Sequence, residues 1–348
     1  MVDFTESFTE PVTNPTQPLT NFTQSVTKFT QSIPNVTQPI PKFTKSMTNF
    51  TKRMTTFSQS LTNVTQRITN LAQRVPNFTI VTAFFNLGSF RKGFWTTFTP
   101  ELYQGWASVF GRMQNNLVVY TDDLTFKQII EDSRLELKAQ TSVVFIQNRS
   151  SLWAFQLRPH IQTIFADPSY PKHHPNTVLA DYPCAQHAKY EVVARTIQDR
   201  VFPAAHYAWL DVGYFRDIVD QKFSFSLQVP GDFDDNKIAY TKIAEASLSV
   251  EPATLIKQNS LWIGGGMFIG TPKTLLTYFE QYKRAVHFFL SEQLMNSDQQ
   301  MVYGMFTDKG RQIIKPTIEL QLYTPQGPGN PWFYLGFHCL RKLNDPTV

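Results

Sequence analysis

Ala205-His206-Tyr207-Ala208-Trp209-Leu210-Asp211-Val212-Gly213-Tyr214-Phe215 is an aromatic and apolar run that ends on one carboxylate, with a glycine two residues further on. A run of this length reads as a buried strand. Asp211 then falls at the carboxyl end of that strand, the edge at which open α/β sheets bind ligands. The alternative is an aspartate that caps the next element or bonds turn amides.

The segments upstream supply the rest of a sheet. Phe78-Thr79-Ile80-Val81-Thr82-Ala83-Phe84-Phe85 predicts a second buried strand, which runs into Asn86-Leu87-Gly88-Ser89 and the basic loop Phe90-Arg91-Lys92-Gly93. Thr99-Pro100-Glu101 has the order of an N-cap, a proline at the first helical position and an early acid, and predicts a helix to about Met113. Asn116 to Thr121 predicts a strand ending on Asp122-Asp123, and Ser142 to Ile146 a further one. Helices are predicted over Thr125 to Glu136, Ser150 to Phe165 and Ala185 to Val201, with a loop from Asp167 to Pro183. Alternation of strand and helix defines an α/β fold with a mostly parallel sheet flanked by helices. In such a sheet Asn86 to Arg91, Asp122 with Asp123, and Asp211 share one edge, as a nucleotide pocket requires.

Downstream, Trp262-Ile263-Gly264-Gly265-Gly266-Met267-Phe268-Ile269-Gly270-Thr271-Pro272 sets three glycines inside a strand-like run. Missing side chains at Gly264, Gly265 and Gly266 let a ligand or another backbone come close; a packing bulge is the other reading. Thr271-Pro272 opens a long helix to about Leu294. Asn296-Ser297-Asp298-Gln299-Gln300 opens a shorter one through Phe306. Asp298 either favours that helix start electrostatically or is a carboxylate that meets an acceptor.

The first quarter has a different character. From Leu19 through Phe22, Val26 and Phe29 to Val75 and Phe78, apolar residues recur at alternating spacings of three and four, a heptad pattern. Residues 1–41 carry repeated Thr and Pro and are expected to be disordered or extended. Between Lys42 and Val75 there is neither proline nor glycine, which allows a helix of about 34 residues, roughly 50 Å long. Residues 42–76 are therefore a heptad helix or a linker, open to self-association through the seam, to packing on the globular part, or to being a low-complexity expansion. Residues 77–343 form the globular domain and 344–348 a tail. Asn-x-Thr sequons at Asn21, Asn35, Asn49, Asn63 and Asn77 follow the repeat, and Asn148-Arg149-Ser150 adds another; arising with the repeat, they say little about glycosylation.

Composition excludes several classes. Residues 1–77 hold seven Lys or Arg against three acids, and the remainder 25 against 24, so the globular part is nearly neutral; the basic excess is small and lies in the low-complexity tract without a recognisable module, which argues against a nucleic-acid partner. No stretch approaches the roughly 18 apolar residues of a transmembrane helix, and the N-terminus lacks a basic region followed by an apolar one. As written the chain reads as cytoplasmic, or as entering the secretory pathway if its start is not the true one. Cys184 and Cys339 could make at most one bridge, and free buried thiols are the simpler expectation.

Together, the runs Thr79 to Phe85, Leu117 to Asp122, Trp209 to Tyr214, Gly264 to Thr271 and Asp298-Gln299, in that order, resemble the HtrL/YibB family over roughly residues 78 to 338. That family is grouped with nucleotide-sugar transferases of the GT-A type, and its bacterial members are linked to surface-polysaccharide loci. The resemblance implies a glycosyltransferase-like protein that takes a nucleotide sugar and a glycan or small-molecule acceptor, assisted by a divalent metal, manganese or magnesium. Asp122 would hold the ribose or base, Arg91 and Lys92 would stand at the sheet edge to stabilise the leaving phosphate, and Gly264, Gly265 and Gly266 would let the diphosphate or the acceptor approach the backbone. Asp211 would be a metal ligand with His338 as a further one, and Asp298 the general base or an acceptor-orienting acid. One departure stands out: Asp211-Val212-Gly213 has one acid where most GT-A enzymes have two separated by one residue. A non-catalytic sugar or nucleotide binder of the same fold, and an interaction protein acting through the heptad tract, are the competing readings.

Overall fold

The computed structural model describes residues 49–60, 62, 78–93 and 96–343. The chain divides into two compact units, Met1–Gln73 and Arg74–Val348. In the first, residues 50–60 lie in a helix with Phe50, Met54 and Phe57 exposed. Thr55 and Thr56 turn their hydroxyls back onto the carbonyls of Thr51 and Lys52, a habit that weakens helices. The expected disorder of residues 1–41, most of the 42–76 helix and the 344–348 tail lie outside the described residues.

Among its described residues the second unit has eleven strands: β1 (Phe78–Phe84), β2 (Phe90–Lys92), β3 (Thr96–Phe98), β4 (Asn116–Thr121), β5 (Thr141–Phe145), β6 (His206–Leu210), β7 (Phe225–Leu227), β8 (Lys237–Lys242), β9 (Ile263–Gly270), β10 (Glu319–Tyr323) and β11 (Leu340–Lys342). Seven make the central sheet, in the order β10-β8-β9-β6-β1-β4-β5. β1, β4, β5 and β6 run parallel, as do β8 and β10, and β9 runs against both its neighbours. The fold is thus α/β with a mostly parallel sheet flanked by helices. β2 and β3 form an antiparallel hairpin where the sequence reads as a loop, and β7 pairs with β11.

Side chains alternate between the two faces of a strand, and each face of the sheet carries its own core. Val81, Trp209, Tyr240 and Phe268 face the long helices Asp181–Gln198 and Pro272–Ser291. Ile80, Leu117, Leu210 and Met267 face the other side, with Phe126 and Phe225. The helices start where the sequence places them for local reasons. Thr99 accepts from the Leu102 amide ahead of Pro100, and Thr271 from that of Thr274 ahead of Pro272. The helix Asp181–Gln198 starts earlier than the expected Ala185, because Pro183 sits in its first turn, where no intrahelical amide is needed. The expected helix from Ser150 breaks into Trp153–Gln156 and Arg158–Ala166 around Leu157, just before Pro159.

The antiparallel direction of β9 positions the site. Its first residues lie at the edge where β1, β4 and β6 end, so the glycine run meets the carboxyl end of β6: Leu210 pairs with Met267, and the Asp211 amide donates to the Gly266 carbonyl at 2.8 Å. On the other side, Tyr240 pairs with Phe268 but the next residue, Thr241, pairs with Gly264. Gly265, Gly266 and Met267 therefore bulge out of that ladder, as strands do beside functional sites.

Candidate active site

A cavity of about 470 Å³ opens at this edge, within the 300–1,000 Å³ range of small-molecule sites. Asp211, Gly265, Gly266 and Lys189 line its floor, and Phe90, Phe98, Trp106, Tyr182, Trp332 and Phe333 its walls. Lys92 and Arg216 add two further cations, while Asp211 is the one carboxylate of the lining.

An ionic triad lies at and behind the floor. Lys189, in the middle of the helix Asp181–Gln198 and 3% exposed, sets its ammonium 3.1 Å from Asp211 Oδ1 and 3.3 Å from Asp298 Oδ2, and donates to the Gly265 carbonyl at 2.8 Å. Burial would lower its pKa, but the carboxylates of Asp211 and Asp298 more than offset that and the net shift is upward. Trp209, two residues before Asp211 and on the same side of the chain, donates its indole N–H to Asp211 Oδ1 at 2.7 Å. Among the described residues only Oδ1 is so engaged; the Asp211 side chain is 42% exposed.

Asp298 is placed differently. It opens the helix Asp298–Phe306 with its side chain 1% exposed, and it lies behind Gly265: a Cβ at Gly265 would stand 2.6 Å from Asp298 Oδ2. Burial pushes its pKa up to about 6, against the pull of Lys189 and with the push of Asp211. The missing side chain at Gly265 makes room for this carboxylate. That at Gly266 makes room for the Tyr214 ring, and that at Gly264 faces Ile243, away from the cavity lining.

Asp122 and Asp123 are committed to the chain around them. Asp122, its side chain 11% exposed, accepts from the Asn86 amide at 2.8 Å and pairs with Arg149, which also donates to the Asn86 carbonyl. Asp123 caps the helix Leu124–Ser133 and accepts from the Asn86 side chain at 2.6 Å. Both hold the loop after β1, whose Leu87 and Gly88 line the cavity, and neither acid lines it. Arg91 is exposed on β2 and is not among the lining residues; its neighbour Lys92 is. His338 stacks on Tyr334 and tilts against Tyr323, also outside the lining.

Lys189 and Arg216 are absent from the sequence reading. For Lys189 a signal existed: it lies three and four residues before Val192 and Val193, on an apolar helix face where a lysine needs a partner.

The donor set does not fit a resident divalent metal. A cation of the magnesium or manganese kind keeps several waters and binds through one or two free carboxylates plus substrate phosphates. Asp211 offers one unengaged oxygen beside an ammonium group, and no group of three His, Cys, Asp or Glu among the described residues could hold an ion.

The fold and cavity define an α/β protein with a cavity at the strand ends. The family model described as "Bacterial protein of unknown function (HtrL_YibB)" matches residues 76–315, and the chain belongs to that family. No curated protein matches it. Among solved structures it is similar to core-mannan synthase A (CmsA/Ktr4) from Aspergillus fumigatus in its Mn/GDP form, at 11% identity and a TM-score of 0.35, over 71% of this chain and 72% of that one.

Proposed function

We propose that the protein transfers a sugar from a nucleotide sugar to a hydroxyl acceptor in the cavity at the β6–β9 edge. The observation that carries this reading is the pairing of one partly exposed carboxylate, Asp211, with a buried ammonium that fixes its direction, on the floor of an aromatic cavity of nucleotide size. Aromatic walls suit a flat base. Breaking a sugar–diphosphate bond builds negative charge on the leaving phosphate, which preorganised cations in a cavity stabilise.

In this reading Lys189 and Trp209 hold Asp211 Oδ1, leaving Oδ2 to accept a hydrogen bond from a hydroxyl at the reacting end. Asp298 acts through Lys189 and does not touch the sugar. The divalent metal of the family resemblance enters no step, since the residues do not make a cage for it.

Release of nucleoside diphosphate from a panel of nucleotide sugars tests the reading. Asp211→Asn is expected to cut turnover about 100-fold or more at a temperature where the variant is still folded, a loss beyond whatever stability goes with the Lys189 pair. A protein that binds nucleoside diphosphates but turns over no nucleotide sugar is the non-catalytic binder instead, a reading favoured by the single acid in Asp211-Val212-Gly213. Absence of binding removes both.

A further inference from the structure

We infer that the phosphate-bearing end of the ligand is held by Arg216 and Lys92, two cations seated on aromatic rings of the cavity wall, and not by a metal ion on Asp211. The inference rests on the reading of the cavity as a nucleotide-sugar site and names that ligand's charge partner.

Arg216 lies over two rings. Its guanidinium carbon is 4.5 Å from the centroid of Phe333 and 5.5 Å from that of Trp106, and all three residues line the cavity. Its guanidinium makes no ion pair among the described residues, and its one hydrogen bond there is a long one, 3.4 Å to the Gly213 carbonyl. Lys92 lies 5.2 Å from the centroid of Phe98, likewise without a carboxylate partner among the described residues. Lys189, the third lining lysine or arginine, is spent on Asp211 and Asp298.

A guanidinium carries five N–H donors in a planar fork that matches two phosphate oxygens at once. Contact with two ring faces restricts its rotamers before the ligand arrives, which lowers the ordering cost of binding. The one lining carboxylate, Asp211, already has an ammonium against it, so the field in the cavity favours an anion. These groups supply on the wall the positive charge that the donor set of the floor cannot gather around a cation.

Isothermal titration of the full chain with inorganic pyrophosphate and with nucleoside diphosphates, each in manganese and in EDTA, tests this. Pyrophosphate is expected to bind in EDTA and to weaken as salt rises. Arg216→Met, which keeps packing against the rings, is expected to weaken binding about tenfold or more, Arg216→Lys less, and Lys92→Met less than Arg216→Met. Should R216M fail to fold, the exposed K92M and the salt dependence decide. Binding that requires manganese, or equal affinity in wild type and both methionine variants, overturns the inference while leaving the transferase reading in place. Arg216-dependent pyrophosphate binding without turnover of any nucleotide sugar leaves the inference in place and removes transfer. No binding of any probe removes both.

Discussion

Lys189 touches both Asp211, which faces the cavity, and Asp298, which does not, and so couples a cavity-facing group to a buried one. Burial holds the folded Asp298 carboxyl at about 6, above an unfolded value of about 4. Between these values the folded chain keeps a proton that the unfolded chain has released. The stability owed to this group is therefore fully present below about pH 4 and is lost as pH rises through about 6. Asp298→Asn cannot titrate. The melting temperature of the wild type is expected to fall relative to that of D298N between about pH 4 and about pH 7, as followed by circular dichroism. A gap between the two that stays constant, or widens in favour of the wild type, contradicts the assignment.

At the scale of elements, what was legible in the sequence is mostly what is buried on both faces. β1, β4, β6 and the glycine strand β9 are largely apolar or glycine runs, buried almost throughout, while the half-buried edge strand β5 was legible from Val143-Val144-Phe145 alone; their order along the chain places Asp211 at the edge where the cavity opens. β8 and β10 escaped because one is bracketed by lysines, and the other, Glu319-Leu320-Gln321-Leu322-Tyr323, is a half-exposed edge strand with little apolar signal. The β2–β3 hairpin is short, and its aromatic contacts with Tyr103, Trp106 and Tyr182 are made over long sequence separations or around a corner, beyond what local pattern reveals. The candidate site was legible in Asp211 and in Gly265 and Gly266. Asp122 was legible as a strand-end acid, but its partners Asn86 and Arg149 lie 36 and 27 residues away in sequence. Elements are also joined by one buried arginine. Arg134, 1% exposed, donates to the carbonyls of Phe110, Met113 and Asn115 and to the Thr141 hydroxyl, tying the entry of β4 to that of β5. Arg134→Met leaves buried acceptors without a donor and is expected to cost on the order of 3 kcal/mol or more in urea unfolding. A loss under about 1 kcal/mol speaks against that role.

For the whole molecule, Arg74–Val348 is a compact unit with two cores of its own, one on each face of its sheet. Removal of residues 1–73 is expected to leave the midpoint of its thermal transition unchanged; a lower midpoint would mean that the heptad tract contributes to that core. Self-association through residues 42–76 remains a proposal that the same pair of proteins tests in sedimentation: it requires the full chain, and not the shortened one, to form oligomers. Among the described residues no helix is long and apolar enough to cross a membrane.

The central claim is that one cavity, floored by Asp211 and walled by Arg216, receives the nucleotide sugar. A crystal structure of the full chain soaked with a panel of nucleotide sugars tests it most directly. The account predicts a ligand with its diphosphate on Arg216 and its sugar against Asp211; a nucleotide bound elsewhere, with this cavity holding none of it, contradicts the account.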